Sequence, residues 1–269
     1  MRFCKSRAVW FQLFVLLSLI SPVALAKESR PIIKIGIPEH YPPFYYLDSD
    51  GEMRGASFDI VAHILKTQGY GIEVTQFANM RSLFNEMTLG RQDVIVNLTA
   101  TEDRKKIALF TQTAHIYETQ DFIVRADSQI QFSGKLLSVA NFRFGNIYGW
   151  TYGPQFDGAN YLNKVYVNDS VEQLKKLLSG QYDIAVNNKL FFYRISEQLN
   201  VENAFKVLSP SIYQLPVTIA VSRKYPNAQK LVSQLEAGVQ SFKQTKQYQA
   251  ILKQYGFESE EVTTQGESQ

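Results

Sequence analysis

Cysteine is almost missing from this sequence, with Cys4 the single example among 269 residues. Cys4 precedes the cleavage point predicted below, so we expect a mature chain without thiols. This excludes thiolate zinc sites, thiol catalysis and disulfides. The histidines, His40, His63 and His115, show no metal-ligand spacing, and the sequence has no Gly-x-Ser-x-Gly elbow or glycine-rich phosphate loop. We therefore predict no catalytic residue, no metal and no cofactor.

Long hydrophobic runs are also scarce, and the one at residues 8–20 lies near the N-terminus. Basic residues precede it within 2–7, and Ala24-Leu25-Ala26 follows with small side chains. This order is typical of a secretory signal, and the run is shorter than the roughly 20 residues of a spanning helix. We predict a signal peptide over residues 1–26 and a soluble periplasmic product. Since Cys4 lies before the cleavage site, we expect no lipid anchor. The alternative is an uncleaved N-terminal anchor.

An excess of one charge sign is lacking once the predicted signal is removed. The chain has 28 basic and 25 acidic residues, and three of the basic ones lie in the signal. Cleavage of 26 of the 269 residues would leave 243, with 25 charges of each sign. Nucleic acids and anionic membranes need a concentrated basic face. We therefore predict no nucleic-acid partner.

Short β-branched runs alternate with amphipathic helical segments along the chain. Strands are predicted at 32–37, 72–77, 93–96, 122–124, 144–147, 164–167, 183–186 and 217–221. Ser57 and Thr101 are predicted helix N-caps, and Ser170 with Gln173 has the form of a capping box. The alternation implies parallel pairing and an α/β fold. Two rounds of it without a linker suggest two lobes joined through strands, followed by a disordered tail at 257–269.

The most informative segment runs from Asn97 to Arg104, directly after a predicted strand. A helix that starts there presents free backbone N–H groups at the carboxyl end of the strand, where α/β sheets bind ligands. Arg104, one turn into the helix, is placed for a bidentate bond to a carboxylate. Thr99 lies between the strand and the helix. The alternative is a surface arginine paired with the neighbouring acids.

Three further segments follow predicted strands. The loop that starts at Tyr41 carries two prolines and several aromatic rings, suited to stacking on a ligand. Gly149, Trp150 and Thr151 offer backbone N–H groups, a large ring and a hydroxyl in the second round of elements. Asn188 follows the strand at 183–186. The alternative for the aromatic loop is ordinary packing over a core.

Together these motifs resemble a known family. The stretches that carry the resemblance are IGIPEHYPPFYYLDSDGEMRGASFDIVAHIL and MTLGRQDVIVNLTATEDRKKIALF. They are similar to the periplasmic solute-binding proteins of polar amino-acid ABC transporters, bacterial solute-binding protein family 3. The resemblance extends over nearly all of 31–256.

The resemblance implies a two-lobed periplasmic-binding-protein fold of the α/β class. Each lobe would be a mainly parallel sheet flanked by helices, and two hinge strands near 117–121 and 215–219 would join them. Lobe one would comprise 31–118 plus 219–256, and lobe two 119–218. A ligand would bind between the lobes and close them.

The resemblance also implies ligand-binding roles. Arg104 and the segment around Thr99, with Asn97 at its start, would bind an α-carboxylate. Tyr41 would supply a stacking ring, and residues 149–151 would close on the carboxylate from lobe two.

Three positions depart from the family pattern. Met80 falls where an aromatic residue often faces Tyr41, and Trp150 replaces a small residue and would reduce the pocket. Asn188 falls where an acidic residue holds the α-ammonium. An amide brings no counter-charge, so this contact should be weaker. Hydroxy acids, dicarboxylic acids and amino-acid derivatives therefore stay open as ligands.

We expect an exported, monomeric receptor that captures a small carboxylate-bearing, amino-acid-like ligand for ABC-type uptake. Its partner would be a membrane ABC permease or a sensor. One alternative is an enzyme resembling the exported dehydratases of cyclohexadienyl acids, although Asn188 cannot exchange a proton as their carboxylic acid does. Another is a sensory or regulatory lobe without transport.

Overall fold

The strands follow the β-branched runs of the sequence. In the computed structural model, which describes residues 30–257, they are β1 (Ile32–Ile37), β2 (Tyr46–Leu47), β3 (Met53–Arg54), β4 (Gly71–Gln76), β5 (Val94–Leu98), β6 (Ala108–Phe110), β7 (Ile116–Arg125), β8 (Arg143–Ile147), β9 (Asn163–Val167), β10 (Ile184–Asn187), β11 (Phe205–Val207) and β12 (Tyr213–Ser222). Every predicted strand overlaps one of these. The predicted signal peptide lies outside the described residues, as does the predicted tail after Phe257.

Helices separate most of the strands. They are α1 (Ala56–Thr67), α2 (Met80–Thr88), α3 (Glu102–Lys105), α4 (Pro154–Asp157), α5 (Ser170–Leu178), α6 (Lys189–Gln198), α7 (Ala228–Phe242) and α8 (Lys246–Gln254). The predicted α/β class is confirmed. In the part of the chain that the structure describes, no helix is both long enough and apolar enough to span a bilayer.

The strands of residues 30–257 form one large sheet in the order β4-β1-β5-β12-β7-β10-β8-β9, with β6 beside β12 and β11 beside β7. Strands β4, β1 and β5 are parallel to one another, as are β10, β8 and β9. We call the strands β1, β4, β5 and β6 the first sheet part and β8 to β11 the second sheet part. A separate two-stranded sheet pairs β2 with β3.

Strands β7 and β12 connect the two sheet parts. They pair antiparallel from Tyr213 opposite Gln120 to Val217 opposite Ile116. Beyond this segment β12 pairs with β5 and β6, whereas β7 pairs with β10 and β11. The chain therefore passes between the sheet parts within these two strands. The predicted hinge segments lie in them, and the predicted lobe boundaries stay a prediction.

Helices α1 and α7 bury the faces that their apolar spacing predicts. In α1, Phe58, Val61 and Leu65 are at most 8% exposed. In α7, Leu231 and Leu235 are nearly inaccessible. Both helices pack against the first sheet part and belong to the same apolar cluster. A second cluster fills the space around β8 and β10, and a third lies beneath α2.

Two predicted helix caps are wrong. The N-cap of α1 is Gly55, and Ser57 is buried one residue inside the helix, where its hydroxyl lies 3.0 Å from Nε2 of His115. The N-cap of α5 is Asp169, whose carboxylate accepts a bond from the Glu172 backbone N–H at 2.7 Å. A carboxylate one residue earlier therefore takes the capping role predicted for Ser170.

The register of α5 also differs from its predicted buried face. Val171 and Leu178 are 38% and 37% exposed, although their spacing suggested burial. Gln173 is buried instead, and its Nε2 donates to the carbonyls of Gly145 and Val186 at 2.8 and 3.0 Å. This amide ties α5 to β10 and to β8, and the carboxyl end of β8 lies beside the site described below.

We expect Gly145→Ala to destabilise the protein. A Cβ at this position in β8 would overlap the buried ring of Tyr182, whose hydroxyl is bonded to the Gln173 carbonyl. Overpacking of this kind costs about 1–3 kcal/mol. The free energy of unfolding in urea measures the loss.

Gly71→Ala in β4 is the matched control, because a Cβ there has its nearest neighbour at an ordinary 3.4 Å. We expect the free energy of unfolding of this variant to change by less than about 1 kcal/mol. Equal stability of the two variants would contradict the packing of Tyr182 on β8.

Candidate functional site

A small cavity lies between the two sheet parts, where the carboxyl ends of β1, β5 and β8 come together. Such strand ends are the usual ligand position in α/β sheets. Seven of the nine predicted site residues line the cavity. The full lining is Tyr41, Tyr45, Met80, Asn97, Leu98, Thr99, Arg104, Glu118, Trp150, Thr151 and Leu215.

Arg104 is the central cation of this cavity and is 8% exposed. Its Nη1 donates to the Thr99 carbonyl at 2.7 Å, and its Nη2 donates to the Gly149 carbonyl at 2.6 Å. Its guanidinium carbon lies 5.6 Å from the centre of the Phe84 ring. Desolvation lowers the pKa of Arg104 to about 10, so the side chain stays charged at neutral pH. The alternative of a surface arginine paired with neighbouring acids is wrong: Glu102 and Asp103 bond to Lys105 and Lys106.

The helix that carries Arg104 is very short. Thr101 caps it as predicted, with Oγ1 accepting from the Arg104 backbone N–H at 3.3 Å. However, α3 spans only Glu102–Lys105. A single turn sums few peptide dipoles, so attraction for an anion must come mainly from the guanidinium.

Asn97 is the second polar group aimed at the cavity. It belongs to β5, is 8% exposed, and its Nδ2 has no hydrogen-bond partner among the described residues. A buried donor without a partner costs roughly 1–3 kcal/mol. The hydroxyl of Thr99, by contrast, donates to the Pro216 carbonyl at 2.9 Å. Asn97 therefore offers an unused donor beside Arg104.

The ring of Tyr41 is held by other aromatic rings. Its centroid lies 4.7 Å from that of Phe44, 5.0 Å from Trp150 and 4.2 Å from Phe191. At 3% exposure it has little free face for stacking on a ligand in this conformation. Its hydroxyl donates to Oε2 of Glu118 at 3.0 Å.

The segment of residues 149–151 closes the cavity from the second sheet part. Gly149 adopts φ +82°, and a Cβ there would lie 3.2 Å from Met80 Cγ. Glycine therefore suits the close approach that brings its carbonyl to Arg104. The ring of Trp150 packs against all three apolar clusters. The hydroxyl of Thr151 donates to Asp157.

The cavity enclosed by these contacts is about 40 Å³. This is slightly more than the roughly 30 Å³ that one water molecule occupies in the liquid and far below the roughly 300 Å³ of ordinary ligand pockets. The predicted effect of Trp150 on pocket size stays a prediction. An organic ligand needs the two sides to separate first.

Asn188 does not line the cavity. It is the N-cap of α6, and its Oδ1 accepts from the Phe191 backbone N–H at 3.1 Å. Its Nδ2 donates to the Thr119 carbonyl at 2.9 Å, and the residue is 1% exposed. Helix α6 was not predicted, although an Asn followed by apolar residues three, four and seven positions later is a helix-start pattern.

Glu118 is the charged cavity residue that sequence reasoning missed; the other lining residues that were not predicted are Tyr45, Leu98 and Leu215. It lies in β7, is partly buried, and is the one acidic residue of the lining given above. Desolvation raises the pKa of its carboxyl group to about 7, opposed by the Tyr41 hydrogen bond and by the charge of Arg104. The sequence feature that could have identified Glu118 is its position as an acidic residue inside a predicted hinge segment.

The described residues contain no group of three or more potential ligands that would hold a metal ion. Among the histidines, His115 is fully buried, and desolvation lowers its pKa to about 3. The chemistry of the cavity is therefore that of one guanidinium, one carboxyl group, amide and hydroxyl groups and aromatic rings.

Comparison with known proteins identifies the family. The sequence profile of the bacterial extracellular solute-binding proteins, family 3, matches residues 33–258, and the chain belongs to this family. The predicted resemblance is confirmed. No curated protein sequence gives a significant match.

Solved structures agree on the fold. A histidine kinase sensor domain with similarity to periplasmic binding proteins superposes with a TM-score of 0.73 at 21% identity, covering 84% of this chain and 96% of that one. An ancestral arginine-binding protein bound to glutamine gives 0.71 at 21% identity, covering 86% and 100%. The substrate-binding protein of an amino acid ABC transporter gives 0.67 at 19% identity, covering 84% and 99%. These likenesses confirm the predicted fold class.

We expect Asn188→Ala to lower stability. The substitution removes the cap of α6 and the bond to Thr119, and loss of an N-cap costs about 1 kcal/mol, up to 2. Urea unfolding measures the change. An unchanged free energy of unfolding would contradict the capping geometry of α6.

Proposed function

We propose that this protein is an exported, monomeric receptor that captures a small carboxylate-bearing ligand between two lobes. Lobe one comprises 31–118 together with 219–256, and lobe two comprises 119–218. The observation that carries the proposal is the pairing of Arg104 with the unused donor of Asn97 inside the cavity between the sheet parts. A charged fork and a neighbouring amide N–H match the oxygens of a carboxylate.

Arg104 links the ligand to closure of the cleft. Its guanidinium reaches the first sheet part through Thr99 and the second through Gly149. When the cleft opens, the bond to Gly149 breaks, and a carboxylate takes the vacated N–H of Nη2. Closure over the ligand then brings residues 149–151 back against it. This cycle is a hinge motion that requires no covalent step.

The neighbouring structures support the choice of ligand and partner. Among them are proteins described as bound to arginine and to glutamine, and the binding protein of an amino acid ABC transporter. We infer an amino-acid-like ligand delivered to a membrane ABC permease. The histidine kinase sensor domain supports a sensor as the alternative partner.

We expect small carboxylates to stabilise the mature chain in a saturable manner, by about 2.7 kcal/mol at one hundred times the dissociation constant. A thermal-shift screen of amino acids and organic acids measures this. Arg104→Ala should abolish the shift. Lys106→Ala, which removes an exposed positive charge two residues away, is the matched control and should respond like the wild type. A full response of Arg104→Ala to the same acid would contradict the assigned site.

One observation favours a second candidate, an enzyme resembling the cyclohexadienyl dehydratases. Glu118 places a carboxyl group of raised pKa, about 7, in the cavity, which suits a general acid. A dehydratase would convert prephenate or arogenate to an aromatic product, detected by absorbance. For a receptor, we expect no product above the uncatalysed background. Product formed by the wild type and lost in Glu118→Gln would favour the enzyme.

A further inference from the structure

The charges of the cavity form a pair of opposite sign. Arg104 is the basic residue of the lining and Glu118 the acidic one. No ion pair joins them within 4.0 Å, since the ion pairs of the described chain do not include either residue. Arg104 instead uses two carbonyls as acceptors. The two charges therefore remain separately available to a ligand.

The carboxylate of Glu118 has unused acceptor capacity. Its Oε2 accepts from the Tyr41 hydroxyl at 3.0 Å, and its Oε1 accepts from Nε2 of Gln120 at 3.3 Å. An ionised carboxylate offers about four acceptor positions. Both donors are neutral, so neither balances the charge. A carboxylate withdrawn from water without an ion-pair partner is costly, and a cation in direct contact with it would relieve that cost.

We propose that Glu118 is the counter-charge for a cationic group of the ligand, an ammonium or a guanidinium, while Arg104 binds its carboxylate. This proposal rests on the proposed receptor function and narrows it to ligands that carry both charges. Asn188, the position implied by the family pattern, is committed to capping α6. Glu118 in β7 thus supplies the negative charge that is missing at Asn188.

Paired probes test the proposal. L-alanine and L-lactate differ by an ammonium in place of a hydroxyl, as do L-phenylalanine and L-phenyllactate. L-arginine and L-citrulline differ in side-chain charge, which separates an α-ammonium from a guanidinium as the group recognised. Affinities come from calorimetry on the mature chain. We expect the more cationic member of at least one pair to bind more than about tenfold tighter.

Variants assign this preference to Glu118. We expect Glu118→Gln to weaken binding of the preferred probe at least about tenfold and to leave its uncharged counterpart within about threefold. Glu39→Gln is the matched control, because Glu39 is also partly buried with its pKa raised to about 7, lies outside the cavity lining and accepts from the Ser170 N–H at 3.2 Å. It should bind like the wild type.

The pH dependence gives an independent readout. The ionisable groups that face Glu118 are Tyr41 and Tyr45 from the loop after β1 and Arg104 from α3, whereas Leu215 opposite it on β12 is apolar. With the free carboxyl titrating near 7, affinity for the cationic probe should rise up to about tenfold per unit as pH increases towards 7, then level off. Glu118→Gln should remove this slope.

The outcomes separate the two proposals. If no acid of any kind binds the wild type, the receptor function fails and Glu118 has no such role. If acids bind through Arg104 but the paired probes bind equally, or Glu118→Gln keeps the affinity and the pH slope, the receptor function stands and the counter-charge is wrong.

Discussion

The antiparallel pairing of β7 with β12 is the constraint on which the rest of the structure depends. Five residue pairs, from Tyr213 opposite Gln120 to Val217 opposite Ile116, join two sheet parts that otherwise have their own parallel strands. The same segment holds the site. Glu118 and Leu215 lie opposite each other on it and both line the cavity, and the Pro216 carbonyl anchors Thr99. Bending of these two strands would therefore move Glu118 and Leu215 together with the rest of the cavity lining.

The architecture was readable from the sequence because its signals are local. A strand period of two and a helix period near 3.6 depend on neighbouring residues alone. They located β1, β5 and β8 to within a few positions and predicted helical segments between strands. Arg104 was also identifiable, because a capped turn directly after a buried strand places its side chain at the strand's end whatever surrounds it. Most of the cavity lining followed from the same reasoning.

What sequence reasoning missed depends on contacts between distant segments. Glu118 faces the cavity only because the Tyr41 loop packs over β7, 77 positions away in the chain. Asn188 was interpreted by its place after a strand, whereas its surroundings on α6 and β7 give it a structural role. Caps were misplaced by one or two residues: Asp169 competes with the adjacent Ser170 as a cap of similar propensity, whereas Gly55 caps α1 although serine is the stronger N-cap residue. In each case the local sequence is compatible with two roles for the residue, and tertiary contacts determine which one it has.

The Gly149 carbonyl competes with a ligand for an N–H group of Arg104. A group that takes over this N–H of Nη2 replaces an acceptor that is already attached to the chain and already at 2.6 Å. A neutral amide or carbonyl ligand would exchange one uncharged acceptor for another and gain little. An anionic oxygen forms bonds roughly twice as strong, so the exchange favours carboxylates. In the proposed receptor, this bond would set a threshold for binding at Nη2 that an anionic oxygen passes and a neutral acceptor does not.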